Sequence, residues 1–158
     1  MSEEFEFIKD FKLPEKITTI SQSCVTGDAA ELRFQYEARL RGFEIFCPVG
    51  HSTKADIIVR RPHDYKMIAV QVKSAVLQHD SIAPSYKFII GSGKPSCSKN
   101  PEDPGARYTR YVDGDFDIIA AYVKTDCVFH FYLLSEVSHK SSMRVNGSAN
   151  NWEIFDQC

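Results

Sequence analysis

The chain has 158 residues, of which 43% are hydrophobic and 25% charged, and a net charge of -2. That balance is the one expected of a single globular domain with one sizeable core, and it excludes a largely disordered chain; no apolar run approaches the roughly 20 residues of a bilayer-crossing helix. Taken as a whole the charge creates no basic field for a nucleic acid, although residues 28–114 carry thirteen Lys and Arg against ten Asp and Glu, so a small basic excess sits in the middle of the chain.

The start, MSEEFEFIKD, is acidic where a signal peptide would be basic, so a soluble, cytoplasmic protein with no membrane partner is expected. The five cysteines (Cys24, Cys47, Cys97, Cys127 and Cys158) are odd in number and lack the close spacing of a zinc knuckle, which points to reduced thiols. The whole chain, 1–158, reads as one domain.

Residues 1–22 mix acids, lysines and aromatics around Pro14 without a clean period and are expected to form an N-terminal arm before a core of about residues 23–135. From Asp28 to Arg41 a helix is predicted: Asp28 suits the N-cap, Leu32, Tyr36 and Leu40 repeat on one face, and Gly42 stops it at C′. FEIFCPV, ADIIVRR and KMIAVQVKSA follow as three strands, the last two separated by a turn at Pro62, His63 and Asp64. SYKFIIG, FDIIAAYV and CVFHFYLL add further apolar runs. Between them GSGKPSCSKNPEDPGARYTR has the composition of a long exposed loop. Residues 136–158 form a C-terminal extension, in which MRVNGSANNWEIF resembles a turn leading into a short edge strand or a helix stub. The fold class is therefore α/β, a central mixed sheet of about five or six strands flanked by helices.

Hydrolysis of a phosphodiester at neutral pH calls for a hard divalent cation, which takes oxygen ligands from one or two carboxylates plus waters. The pattern to seek is a carboxylate beside a lysine. Asp56 lies near the start of one predicted strand, and Gln71-Val72-Lys73 on the next, where residues two apart point the same way. Asp56 would anchor the metal, Gln71 would offer an amide oxygen or orient a water, and Lys73 would stabilise the charged transition state. Glu31, in the first turn of the predicted helix, could complete the cluster. Each residue also has an ordinary reading, Glu31 as a helix-start acid, Asp56 as the end of a loop and Lys73 as a solvated strand end; the combination in order along the chain is what favours chemistry.

GDAAE, then Ala55-Asp56, then QVK at 71–73 resemble the helix and strand hairpin of PD-(D/E)XK nucleases. The likeness runs over roughly residues 27–134 and is nearest to the group I intron-associated, homing-type branch, which is similar in its Gly-x-x-x-Glu helix, its PVG…D strand and its QVK signature. RYVDGDFDIIAAYV is similar to that branch too. Two departures stand out: Ala55 replaces the Pro of the family name, and Gln71 replaces the commoner Glu or Asp. The resemblance implies a restriction-endonuclease-like core that cuts double-stranded DNA to leave a 5′-phosphate, with Mg²⁺ as cofactor and Mn²⁺ as its substitute. It also implies Glu31, Asp56, Gln71 and Lys73 as the catalytic set, the first three holding metal, and assembly as a homodimer or homotetramer.

His51, Ser52, Lys94, Lys99, Arg107 and Arg110 are candidates for DNA contact, and Tyr111 is a further residue that could face it. GSGK at 91–94 departs from a phosphate loop, since Phe88 stands at the first Gly and Pro95 at the Ser or Thr. His63-Asp64 and His79-Asp80 lie in predicted turns and are set aside as metal sites, and Asp117 reads as a residue at the start of a strand. The target would be a specific site, of homing or restriction type; rival functions are a Holliday-junction-type resolvase and a catalytically inactive DNA-binding module, and RNA processing lacks any stacking motif.

Overall fold

The computed structural model describes residues 22–49, 53–79, 85–92 and 109–158. Helix α1 spans Gln22–Leu40 and so starts well before Asp28, which lies inside it and caps nothing. The reason is tertiary: the Ser74 hydroxyl donates to the Thr26 carbonyl at 3.3 Å, tying the first turns to the sheet and offsetting the roughly 1 kcal/mol that Gly27 costs a helix. The other end is as predicted. Gly42 takes φ +83°, its N–H donates to the Arg39 carbonyl at 3.0 Å, and the Phe43 N–H donates to that of Ala38 at 3.1 Å, a Schellman termination.

The face that α1 buries is not the one marked by its large apolar residues. Ala30, Phe34 and Ala38 are fully buried, whereas Leu32 is 65% and Leu40 66% exposed, and Tyr36 is also exposed. Two alanines let the helix lie close to the sheet, with Phe34 as its one large knob, edge-on to Phe129 at 5.8 Å and stacked on Trp152 at 5.5 Å. Phe34→Ala is expected to cost about 3–5 kcal/mol in urea unfolding and Leu32→Ala less than about 0.5 kcal/mol. The reverse order would assign the wrong face.

Strands β1 (Glu44–Phe46), β2 (Ile57–Arg60), β3 (Met67–Ser74), β8 (Ile118–Val123) and β9 (Val128–Leu133) form the central sheet in that order. β3 and β8 run parallel, and every other neighbouring pair is antiparallel, so the sheet is mixed. The parallel pair needs a crossover, residues 75–117, which includes β4 (Val76–Gln78), β5 (Ser85–Ile89), β6 (Gly91–Ser92) and β7 (Thr109–Arg110). SYKFIIG thus belongs to a separate small sheet, in which β5 sits between β4 and β10 (Ser142–Arg144). α2 is a single turn, Leu134–Val137.

Alternation along the strands sorts the core into two layers. Val70, Val72, Ile118 and Ala120 pack with Phe34 beneath α1, while Ile119 and Ala121 pack with Phe88, Ile90, Tyr111 and Phe116 on the opposite face. The C-terminal stretch, expected as an extension beyond the core, belongs to it: Phe155, in the 3₁₀ turn Trp152–Asp156, is fully buried among the rings beneath α1. Arg61, itself buried, fastens this turn to the β2–β3 hairpin, its Nη1 donating to the Phe155 carbonyl at 2.7 Å and its Nε to Asp64 at 2.9 Å. That guanidinium holds the Asp64 carboxyl down at about 2. Among the described residues Cys47, Cys127 and Cys158 form no disulfide.

Candidate active site

The β2–β3 ladder ends at Ile57 opposite Val70, while β3 runs on to Ser74. Beyond that point no strand among the described residues pairs with β3 on its β2 side, and Asp56 fills the gap. Its own N–H donates to the Val70 carbonyl at 3.0 Å, and its carboxylate Oδ2 accepts the Val72 N–H at 2.8 Å, in place of a backbone acceptor. The same oxygen accepts from Gln71 Nε2. A sheet that stops early thus leaves a notch, open to groups from both of its faces.

Glu31 approaches the notch from α1. Gln71 and Lys73 approach from the other face, with the same parity as Ala69 and Ala75, which pack in the second layer. Gln71 is 6% exposed; its amide nitrogen is spent on Asp56 and, at 3.4 Å, on the Val72 carbonyl, so its oxygen is left without a hydrogen bond among the described residues. The Val72 carbonyl lies on the same edge and, among the described residues, receives only that long amide contact. Oxygen is therefore what the site has to offer.

The charges are felt across the notch. Burial pushes the Glu31 carboxyl up to about 7, the negative Asp56 and Asp28 push it the same way, and Lys73 opposes them. Burial also raises the Asp56 carboxyl above its usual range, against the Val72 N–H, Lys73 and Gln71. Lys73 is lowered by burial, with Asp56 and Glu31 holding it up. Two carboxylates that each resist ionising, beside a half-buried ammonium, form an arrangement that a cation would relieve. Among the described residues no three His, Cys, Asp or Glu side chains converge, so any metal here would rest on two carboxylates and neutral oxygens.

Of the residues expected to contact DNA, His51, Ser52, Lys94, Lys99 and Arg107 lie outside the described residues. Arg110 is exposed on β7, its Nη1 donating to the His139 carbonyl at 3.4 Å. Tyr111 does not face solvent; it is 2% exposed and lies under Lys73. Asp117 behaves as a residue at the start of a strand, its carboxylate accepting the Ala69 N–H at 2.7 Å to open the parallel ladder. His63 sits beside Asp156 at 3.7 Å at the Arg61 clamp, away from the notch residues in both sequence and pairing. The Val72 main chain was not a sequence candidate, because nothing in residue type signals where a neighbouring strand will stop.

The family model of PD-(D/E)XK endonucleases matches residues 21–153. Protein 5.3 of Escherichia phage T7 is similar at 29% identity over 121 residues, 77% of this chain and 88% of that protein. The solved structure of a bacterial homing endonuclease, I-Ssp6803I, superposes with a TM-score of 0.69 at 17% identity, covering 87% of this chain and 95% of that one. At that identity the likeness is one of fold.

Proposed function

Because this chain belongs to the PD-(D/E)XK endonuclease family, we propose that it hydrolyses phosphodiesters in double-stranded DNA at the notch beside β2, with Glu31, Asp56, Gln71 and Lys73 as its catalytic residues and Mg²⁺ as its cofactor, for which Mn²⁺ can substitute. The observation that carries this reading is the meeting of two carboxylates of raised pKa with a half-buried lysine at the end of a strand ladder. The residues fit a hard divalent cation: Asp56 and Glu31 would hold it by carboxylate oxygens, and Gln71 by its amide oxygen. When bound, such a cation polarises the phosphate and acidifies a water.

The chain's own groups supply the rest. The Val72 N–H and the Gln71 amide fix the Asp56 carboxylate in one orientation, so no reorganisation is needed at the moment of reaction. Lys73 brings a positive charge to the place where negative charge grows on the phosphate, in surroundings partly cleared of water, where that charge acts more strongly. Gln71 in place of a third acid leaves the metal-free notch with two ionisable carboxyls rather than three, and so with less self-repulsion.

Each chain has one such site, so cutting both strands calls for two copies, and we read the working form as a homodimer or homotetramer. A site-specific, homing-type activity is supported by the QVK resemblance and by the fold shared with I-Ssp6803I. The test is to incubate the purified protein with pooled genomic duplex and, separately, with a four-way junction, in Mg²⁺, Mn²⁺ or EDTA. Discrete duplex cuts ending in 5′-phosphate, lost in EDTA, are expected. Preference for the junction would make it a resolvase, and binding without cutting in any metal would make it an inactive module.

A further inference from the structure

We propose that Tyr111 is a positioning residue for Lys73, its ring face forming a seat that holds the ammonium toward the phosphate and off the carboxylates. The inference rests on the nuclease reading of the notch. It starts from an oddity: Lys73 feels Asp56 and Glu31 electrostatically, yet among the described residues it makes no ion pair within 4.0 Å and no hydrogen bond. A lysine has a flexible four-carbon stem and three donors, and beside two acids it would ordinarily fold onto one of them. Here Nζ lies 5.1 Å from the centroid of the Tyr111 ring, within the range where the negative face of an aromatic ring attracts a cation.

The seat is itself held. Tyr111 is 2% exposed and lies edge-on to Phe116, with ring centroids 4.9 Å apart at 79°, in the core layer that also holds Phe88 and Ile119. It directly follows β7, whose Arg110 is paired with Gly91, so the backbone before it is tied into a ladder. A ring fixed on both counts can hold a lysine in place without consuming any of its donors. A carboxylate would hold it more tightly, but would take up the charge that the transition state needs. The ring therefore keeps Lys73 ordered and unspent.

The test compares Tyr111→Phe, which keeps the ring, with Tyr111→Leu, which keeps the apolar volume alone, in steady-state cutting at saturating metal. The expected result is a roughly tenfold fall in kcat for Tyr111→Leu with KM for duplex little changed, and activity within about twofold of the parent for Tyr111→Phe. A tyrosine that only fills the core would lower the folded fraction, read by thermal melting of each variant, and not kcat per folded molecule. The second readout needs no turnover: in the intact protein the ring current should move the Lys73 ε-methylene protons upfield, with Lys73→Arg assigning the signal and Tyr111→Phe retaining it.

Full activity in Tyr111→Leu, an equal loss in both variants, or ε-protons at the ordinary lysine position would each overturn the proposal. Should Tyr111→Leu fail to fold, the proton shift in the parent and in Tyr111→Phe decides. If the parent cuts nothing, the nuclease reading fails while the proton shift still reports the seat, so the two failures are distinguishable.

Discussion

Asp56→Ala and Lys73→Ala should each lower duplex cutting by roughly 10²–10³-fold or more at saturating Mg²⁺, as expected when a preorganised charge is taken from a partly dry site. The two losses should differ in what accompanies them. Asp56 Oδ2 is the acceptor for both the Val72 N–H and the Gln71 amide, so alanine leaves two donors unpaired, one of them on a buried side chain. A cost of about 1–3 kcal/mol in stability should therefore accompany the catalytic loss. Lys73 is a cation that burial already works against, and its alanine variant should fold about as well as the parent. Asp56→Asn keeps an oxygen for the Val72 N–H but no charge, and should be inactive with a nearly parental melting temperature. Cleavage assays run beside thermal melts decide the matter: a Lys73→Ala protein that cuts normally would remove Lys73 from the mechanism.

The stability of the metal-free and metal-loaded protein should depend on pH with opposite signs. Glu31 has its carboxyl raised from 4.5 to about 7 in the fold. Its favourable contribution is fully present below about 4.5 and is lost as the pH rises through about 7, because the unfolded chain then accepts the charge more readily than the notch does. The shift, discounted for the water that reaches a half-exposed carboxyl, is about 1–2 kcal/mol. Relative to the parent, metal-free Glu31→Gln should thus gain stability between pH 5 and pH 8. Metal binding needs the ionised acid, so the apparent Mg²⁺ affinity should fall by up to about tenfold for each pH unit below 7, and further as Asp56 also takes up its proton. Melting temperature across pH, with and without excess Mg²⁺, reads both limbs. Parallel curves for the parent and Glu31→Gln would show that Glu31 is not part of the metal site.

Much of this was legible in the sequence because it depends on local order. The Gly42 stop, the turn after Arg61 and the two-residue spacing of Gln71 and Lys73 are properties of short segments, and the structure has them where they were expected. The proposed quartet of Glu31, Asp56, Gln71 and Lys73 was read from order along the chain together with resemblance. What was missed depends on distant partners. Leu32, Tyr36 and Leu40 form a better apolar stripe than Ala30, Phe34 and Ala38, and only the close approach of the sheet makes alanine the better fit. Phe155 and Trp152 looked peripheral because their ring partners are as far away in sequence as Phe34. Tyr111 looked like a surface residue for the same reason.

The crossover from β3 to β8 has to satisfy only one condition: it must bring the chain back to run beside β3 in the same direction. No length is prescribed by that, and none of the three acid and amide groups at the notch lies within it, since Glu31, Asp56 and Gln71 all precede Ser74. Among its described residues it carries Tyr111, which lies under Lys73. The length of the crossover can therefore change without moving Glu31, Asp56 or Gln71, because the parallel register of β3 and β8 and not the path between them holds the notch in place.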